Sequence, residues 1–200
     1  FFGFCHDKIY RFFTDILSLL PIFPCIMVAI ANHFSQMQKG WFIIDDTSIS
    51  KPYAKLIEGL GFIYNSCLGR SEKGYSIVVL CWSNGFVTIP ISFVWWFSKE
   101  IVNTNNYQTK LHLARELITK FIPLIDVSYV LFDGLYCSQE TIAFLNEYYI
   151  PFECKIARNR QVKIDGIVAP LKEHPYLKLQ KNQRSLTKFG RWNGIPIYFT

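Results

Sequence analysis

The sequence predicts an α/β fold, a mixed sheet with flanking helices, and three observations lead there. Short runs rich in β-branched and aromatic residues recur, and two close on an aspartate: Trp41-Phe42-Ile43-Ile44 runs into Asp45-Asp46-Thr47, and Val127-Ser128-Tyr129-Val130-Leu131-Phe132 runs into Asp133-Gly134. Such runs read as buried strands. Between them, Leu111, Ala114, Leu117, Ile118 and Phe121 recur at helical spacing. Half of the 200 residues are apolar and 17% are aromatic, enough for a sizeable core and against ordinary disorder.

The elements follow in order. Residues 1–38 read as a helical N-terminal segment broken at Pro21 and Pro24. Trp41 to Ile44 is the first strand, and its acids stand at its C-terminal end. Residues 50–72 read as a long connection, because Pro52, Gly59, Gly61 and Gly69 punctuate them. Tyr75 to Trp82 is a second strand, Ser83-Asn84-Gly85 a tight turn, and Phe86 to Val94 a third strand. Pro90 inside that strand has no N–H to donate, which demands an edge position or a bulge. A helix spans about Gln108 to Phe121, Val127 to Phe132 is the fourth strand, and Ser138 has the look of an N-cap for a second helix. Ile150 to Ile156 is a fifth strand. Beyond it the chain turns basic and rich in Gly and Pro, and short runs such as Gln161–Ile164 and Ile195–Phe199 suggest a small β-rich unit. The expected division is a helical segment at 1–38, a core at 39–158, and the start of a β-rich insertion at 159–200.

Three strands followed by two helix-separated strands is the ribonuclease H-like plan. In that plan the first and fourth strands are neighbours, so Asp45 and Asp133 converge. Converging carboxylates repel unless a cation lies between them, and Mg²⁺ or Mn²⁺ takes such oxygen ligands. That is the beginning of a metal-dependent phosphoryl-transfer site. The plainer alternative for each acid is a turn-forming role. Asp46 has opposite pleat parity to Asp45, so one of the two faces the metal.

Charge is unevenly placed. Residues 1–150 hold 11 Lys and Arg against 12 Asp and Glu, whereas residues 151–200 hold 10 against 3. The whole positive excess therefore lies in the last quarter, which suits a polyanionic partner, although a solvated basic surface has the same composition. Lys51 and Lys55 just past the first acid, and Arg158 and Arg160 after the fifth strand, are the candidate DNA-phosphate contacts. Cys5, Cys25, Cys67, Cys81, Cys137 and Cys154 are scattered and form no CxxC pair, so they read as free thiols in a reducing compartment. His6, His33, His112 and His174 lack metal-ligand spacing. Ile16 to Ala31 is apolar but short for a span and contains two prolines, so no membrane association is expected.

Two motifs carry a family resemblance. The run from Ile43 through Asp45-Asp46-Thr47-Ser48 to Lys51-Pro52-Tyr53-Ala54-Lys55 and Gly59 resembles the first-acid region of DDE transposases of bacterial insertion sequences. Val130-Leu131-Phe132-Asp133-Gly134-Leu135-Tyr136-Cys137-Ser138 resembles their second-acid strand, and Lys73-Gly74-Tyr75, the Ser83-Asn84-Gly85 turn and Ile89-Pro90-Ile91 are also similar. The resemblance covers roughly residues 41–160. It implies a two-metal core that hydrolyses a strand at a transposon end and joins the 3′-hydroxyl to target DNA, with Asp45 and Asp133 as catalytic metal ligands. It also implies a cytoplasmic, nucleoid-associated protein that acts on transposon ends and target DNA, as a homodimer at full length. The subgroup's final Glu, on a late helix after a β-rich insertion, has no counterpart here, because Glu140, Glu147, Glu153 and Glu173 come too early. Phe1 and the strand-like end at Thr200 both look like fragment edges, so the expectation is a truncated, inactive piece of a transposase. The alternatives are another ribonuclease H-like nuclease, and a non-catalytic membrane-associated protein anchored by residues 9–34.

Overall fold

The computed structural model describes residues 20–55, 57–65, 68–102, 104–179, 181 and 183–200. The expected helix over residues 1–19 and the thiols Cys5 and Cys67 lie outside the described residues. The chain divides into two units, Phe1–Val130 and Leu131–Thr200. The architecture is α/β and ribonuclease H-like, with a mixed sheet of parallel and antiparallel strands and three α-helices among the described residues. The order of that sheet is β2 (Gly61–Asn65), β3 (Arg70–Ser83), β1 (Gly40–Ser50), β5 (Val127–Phe132) and β6 (Phe152–Cys154), with β4 (Thr88–Trp96) also paired to β3.

The first unit opens with α1 (Phe23–Ser35). Pro24 sits in its first turn, where a missing N–H costs nothing. β1 (Gly40–Ser50) pairs antiparallel with β3 (Arg70–Ser83) along its whole length. The expected first strand stopped at Ile44. It runs six residues further because β3 is long enough to set a paired residue opposite each position from Asp45 to Ser50, whatever the side chains. Asp45 and Asp46 therefore lie inside β1 rather than at its end. Gly40 lies under the fully buried Trp82, and a Cβ there would collide with the indole and with the Ser83 carbonyl.

β2 (Gly61–Asn65) lies within the expected connection and pairs with the first residues of β3. Its alternation is plain once seen, with Ile63 buried and Phe62 and Tyr64 exposed. Asn84 Oδ1 accepts from Phe86 and Val87 N–H in the turn that leads to β4 (Thr88–Trp96). β4 pairs with β3 alone, and its register shifts opposite Leu80 and Cys81 at Pro90, so the proline has both an edge strand and a bulge. α2 (Lys110–Phe121) begins at Thr109, whose side chain accepts from His112 N–H, and it packs on β3 and β4. It buries Leu113, Ala114, Leu117, Ile118 and Phe121, so Leu113 takes the place expected for Leu111. β5 (Val127–Phe132) follows within the expected bounds, and its opening residues lie beside β1.

The second unit takes in the end of β5, α3 (Gln139–Glu147) and β6 (Phe152–Cys154), a shorter strand than the expected Ile150 to Ile156. Phe132 stacks on Phe152 with ring centroids 6.0 Å apart. A separate four-stranded sheet follows, in the order β10-β9-β7-β8. β7 (Gln161–Ile164) and β8 (Ile167–Pro170) are joined by Asp165-Gly166, and β9 (Lys188–Trp192) and β10 (Ile195–Phe199) by Asn193-Gly194. All four turn residues have positive φ, the signature of two-residue hairpins whose twist matches the strands.

Candidate active site

β1 alternates faces, and that alternation separates its two acids. Phe42 and Ile44 are buried, and Asp46 is on their face. Lys110, the first residue of α2, reaches Asp46 Oδ2 at 2.5 Å, and its ammonium stands 5.2 Å from the centre of the Trp96 ring. Both partners of this pair are about four-fifths buried, at 21% and 18% exposure, so Asp46 ties β1 to the helix above it. Asp45 is on the opposite face with Trp41 and Ile43, and is exposed. Its Oδ1 accepts from the Asp46 N–H at 2.8 Å. Cys81 pairs with Ile43 in the neighbouring strand, and burial together with the Asp45 charge pushes its thiol pKa up.

Lys51 and Lys55 open the loop after β1 and are both exposed. Lys51 N–H still donates to the Lys73 carbonyl at 2.8 Å, and its own carbonyl closes a turn with Ala54 at 3.1 Å. The backbone is thus fixed while the ammonium groups face solvent.

Asp133 belongs to the second unit and follows β5 immediately. It is exposed, and its Oδ1 accepts from Leu135 N–H at 2.8 Å while its carbonyl accepts from Tyr136 N–H at 3.3 Å. This self-closed turn ends the strand. A Cβ at Gly134 would stand 3.2 Å from the Lys155 carbonyl, a tight fit against the chain that leaves β6. Tyr136 and Cys137 are buried behind the turn, and Ser138 Oγ accepts from Thr141 N–H at 3.1 Å to start α3. The side chain of Asp133 is therefore anchored by one oxygen, in a turn clamped from both sides.

Arg158 and Arg160 share the loop between β6 and β7. Their carbonyls accept from Lys172 and Leu171 N–H, both at 2.9 Å, which holds that loop to the short helical turn after β8. Arg160 also lies 5.8 Å over the Trp192 ring. Arg158 faces a groove of about 1010 Å³ in the second unit, with Lys155, Lys172 and Arg184 also on its walls. Lys110, the Trp192 contact and this groove had no signal in the local sequence pattern, since each depends on which strands and loops come together.

The sequence model for the DDE superfamily endonucleases matches residues 3–178, a span that includes Asp45, Asp133, Lys51, Lys55, Arg158 and Arg160. The chain belongs to the DDE superfamily endonucleases. No curated protein and no solved structure matches it. DDE superfamily endonucleases act on DNA and generally use divalent metals. Among the described residues, no group of three or more His, Cys, Asp and Glu side chains is gathered to hold an ion. Exposed carboxylates on structured backbone, as at Asp45 and Asp133, are the hard oxygen donors that Mg²⁺ and Mn²⁺ take.

Proposed function

We propose that this DDE endonuclease chain is the core of a transposase, with Asp45 and Asp133 as its first and second metal-binding acids. The observation that carries the reading is the stacking of Trp41 on Tyr129, with ring centroids 5.5 Å apart and planes 5° from parallel. Asp45 lies four residues past Trp41 on the same face of β1, and Asp133 lies four residues past Tyr129, one residue beyond the end of β5. The Lys110 ion pair adds to this by committing Asp46 elsewhere.

Bound there, Mg²⁺ or Mn²⁺ would activate an oxygen nucleophile and neutralise charge on the leaving oxygen. The chain's own part is to hold carboxylates in place. Leu135 N–H fixes the rotation of Asp133, and the β1–β3 register fixes Asp45. Lys51, Lys55 and Arg158 grip DNA phosphates, and Arg160 does so from its place against Trp192. The domains run 1–38, 39–158 and 159–200, the last being the beginning of a basic β-rich insertion. The DNA partners are transposon ends and target DNA, met by a homodimer in the bacterial nucleoid. None of Glu140, Glu147, Glu153 and Glu173 is assigned as the third carboxylate. No helix among the described residues is long and apolar enough to cross a membrane.

The test is plasmid and oligonucleotide nicking by the 200-residue chain with Mg²⁺ or Mn²⁺, beside an Asp45→Ala, Asp133→Ala control. The expected result is DNA binding without nicking. Binding should weaken on the order of a hundredfold over a fourfold rise in salt, because about four phosphate contacts release their counterions. Nicking that the double substitution abolishes would place a third ligand within residues 1–200 and overturn the missing-Glu reading. Nicking that survives it would overturn the assignment of both acids.

A further inference from the structure

We propose that Cys137 and Cys154 are a reversible dithiol–disulfide site, oxidised by hydroperoxides. Their sulfurs are 3.3 Å apart, and the Cys154 thiol donates to Cys137 Sγ. Both belong to the second unit, Cys137 in the segment between Asp133 and α3 and Cys154 as the last residue of β6. Disulfide sulfurs are about 2.0 Å apart, so closing the bond moves them together by little more than an ångström. Both thiols also lie on the wall of the second-unit groove, which gives a small oxidant a route to them although Cys137 is only 5% exposed.

The two thiols differ in reactivity. The hydrogen bond from Cys154 holds Cys137 below the ordinary thiol pKa, and the Arg160 charge helps while burial opposes. Cys154 is pushed up, first by its bond to Cys137, then by burial and by the Glu153 charge. Cys137 is accordingly the nucleophile and Cys154 the resolving thiol. The Cys137 thiolate attacks the peroxide oxygen, the O–O bond breaks, and hydroxide leaves, giving a sulfenic acid. Cys154 sulfur then attacks Cys137 sulfur, the S–O bond breaks, and the oxygen departs as water with the Cys154 proton. The two thiols lose two electrons, the peroxide gains them, and a second dithiol reverses the change. The tie spans α3 and fastens the segment after Asp133 to β6. It does not depend on what Asp133 binds.

The test is a peptide map of the reduced 200-residue chain after brief exposure to hydrogen peroxide and alkylation of the remaining thiols. The expected result is a Cys137–Cys154 linked peptide that dithiothreitol removes. Cys154→Ser should stop the reaction at a Cys137 sulfenic acid trapped by dimedone, and Cys137→Ser should leave Cys154 unoxidised over the same time. Absence of the linked peptide from the unsubstituted protein, or oxidation of Cys25 and Cys81 ahead of this pair, would overturn the proposal. The map of the unsubstituted protein decides the matter even if a serine variant folds poorly.

Discussion

The two acid-bearing stretches, around β1 and around β5, look alike in sequence and are built differently. Each is an apolar run closed by aspartate. β5 ends at Asp133 because that residue folds back on Leu135 and Tyr136 N–H and starts a turn. β1 continues through Asp45 and Asp46 to Ser50, because β3 offers a paired residue at every step. A strand ends where its backbone partners end or where a local turn takes them over, and not where hydrophobicity ends. One acid is therefore positioned by long-range sheet register and the other by a few neighbouring residues.

That contrast sets the sizes of the expected effects. Sheet-held positions should be the costly ones. Gly40→Ala should destabilise by about 3 kcal/mol in urea unfolding, since its methyl meets a fully buried indole and a carbonyl. A loss under about 1 kcal/mol would mean that the start of β1 yields easily, and the contrast would weaken. Asp46→Asn should cost about 1–2 kcal/mol, midway between exposed and buried pairs, and Lys110→Met in that background should add little more. Additive losses would show that the two residues act separately.

Turn-held positions should cost less. Ser138→Ala removes the cap of α3 and should cost about 1 kcal/mol, with Thr109→Ala on α2 as a matched control. Asp133→Asn keeps an acceptor for Leu135 N–H and should stay within about 0.5 kcal/mol of the parent. The smallest effect concerns Glu72, on β3 near its pairing with the far end of β1. Hydrogen bonds from Ser50 and Asn65, with a further contribution from Arg70, hold its carboxyl below the ordinary 4.5. Its folded pKa is below the unfolded one, so the ionised form adds stability above about pH 4.5, and that share is lost as pH falls through the folded value. Glu72→Gln should flatten the acid limb of the stability curve and leave the neutral limb parallel to the parent.

The local cues legible in the sequence are those that depend on neighbours. Pro90 marked a strand with both an edge and a bulge, Ser138 marked a helix cap, and Val127 to Phe132 marked a strand to the residue. Asp165-Gly166 and Asn193-Gly194 are equally local and were legible as hairpin turns, although they were read only as part of a β-rich stretch. β2 was missed because three glycines obscured a three-residue alternation, which becomes a strand only when β3 supplies a partner. The polar half of β1 and the Lys110–Asp46 pair were illegible for the same reason. For the candidate site, the sequence supplied the acids and their order, and pleat parity separated Asp45 from Asp46. It could not supply the cation that commits Asp46.

The central claim is that Asp45 and Asp133, and not Asp46, bind a divalent metal. Mn²⁺ titration followed by electron paramagnetic resonance, on the parent chain and on Asp45→Asn, Asp46→Asn and Asp133→Asn, tests it most directly. The account expects weak binding in the parent, a loss of at least about tenfold in affinity for Asp45→Asn and for Asp133→Asn, since each removes one of few charged ligands, and parent-like binding for Asp46→Asn. Binding that survives both Asp45→Asn and Asp133→Asn, or that disappears only with Asp46→Asn, would contradict it.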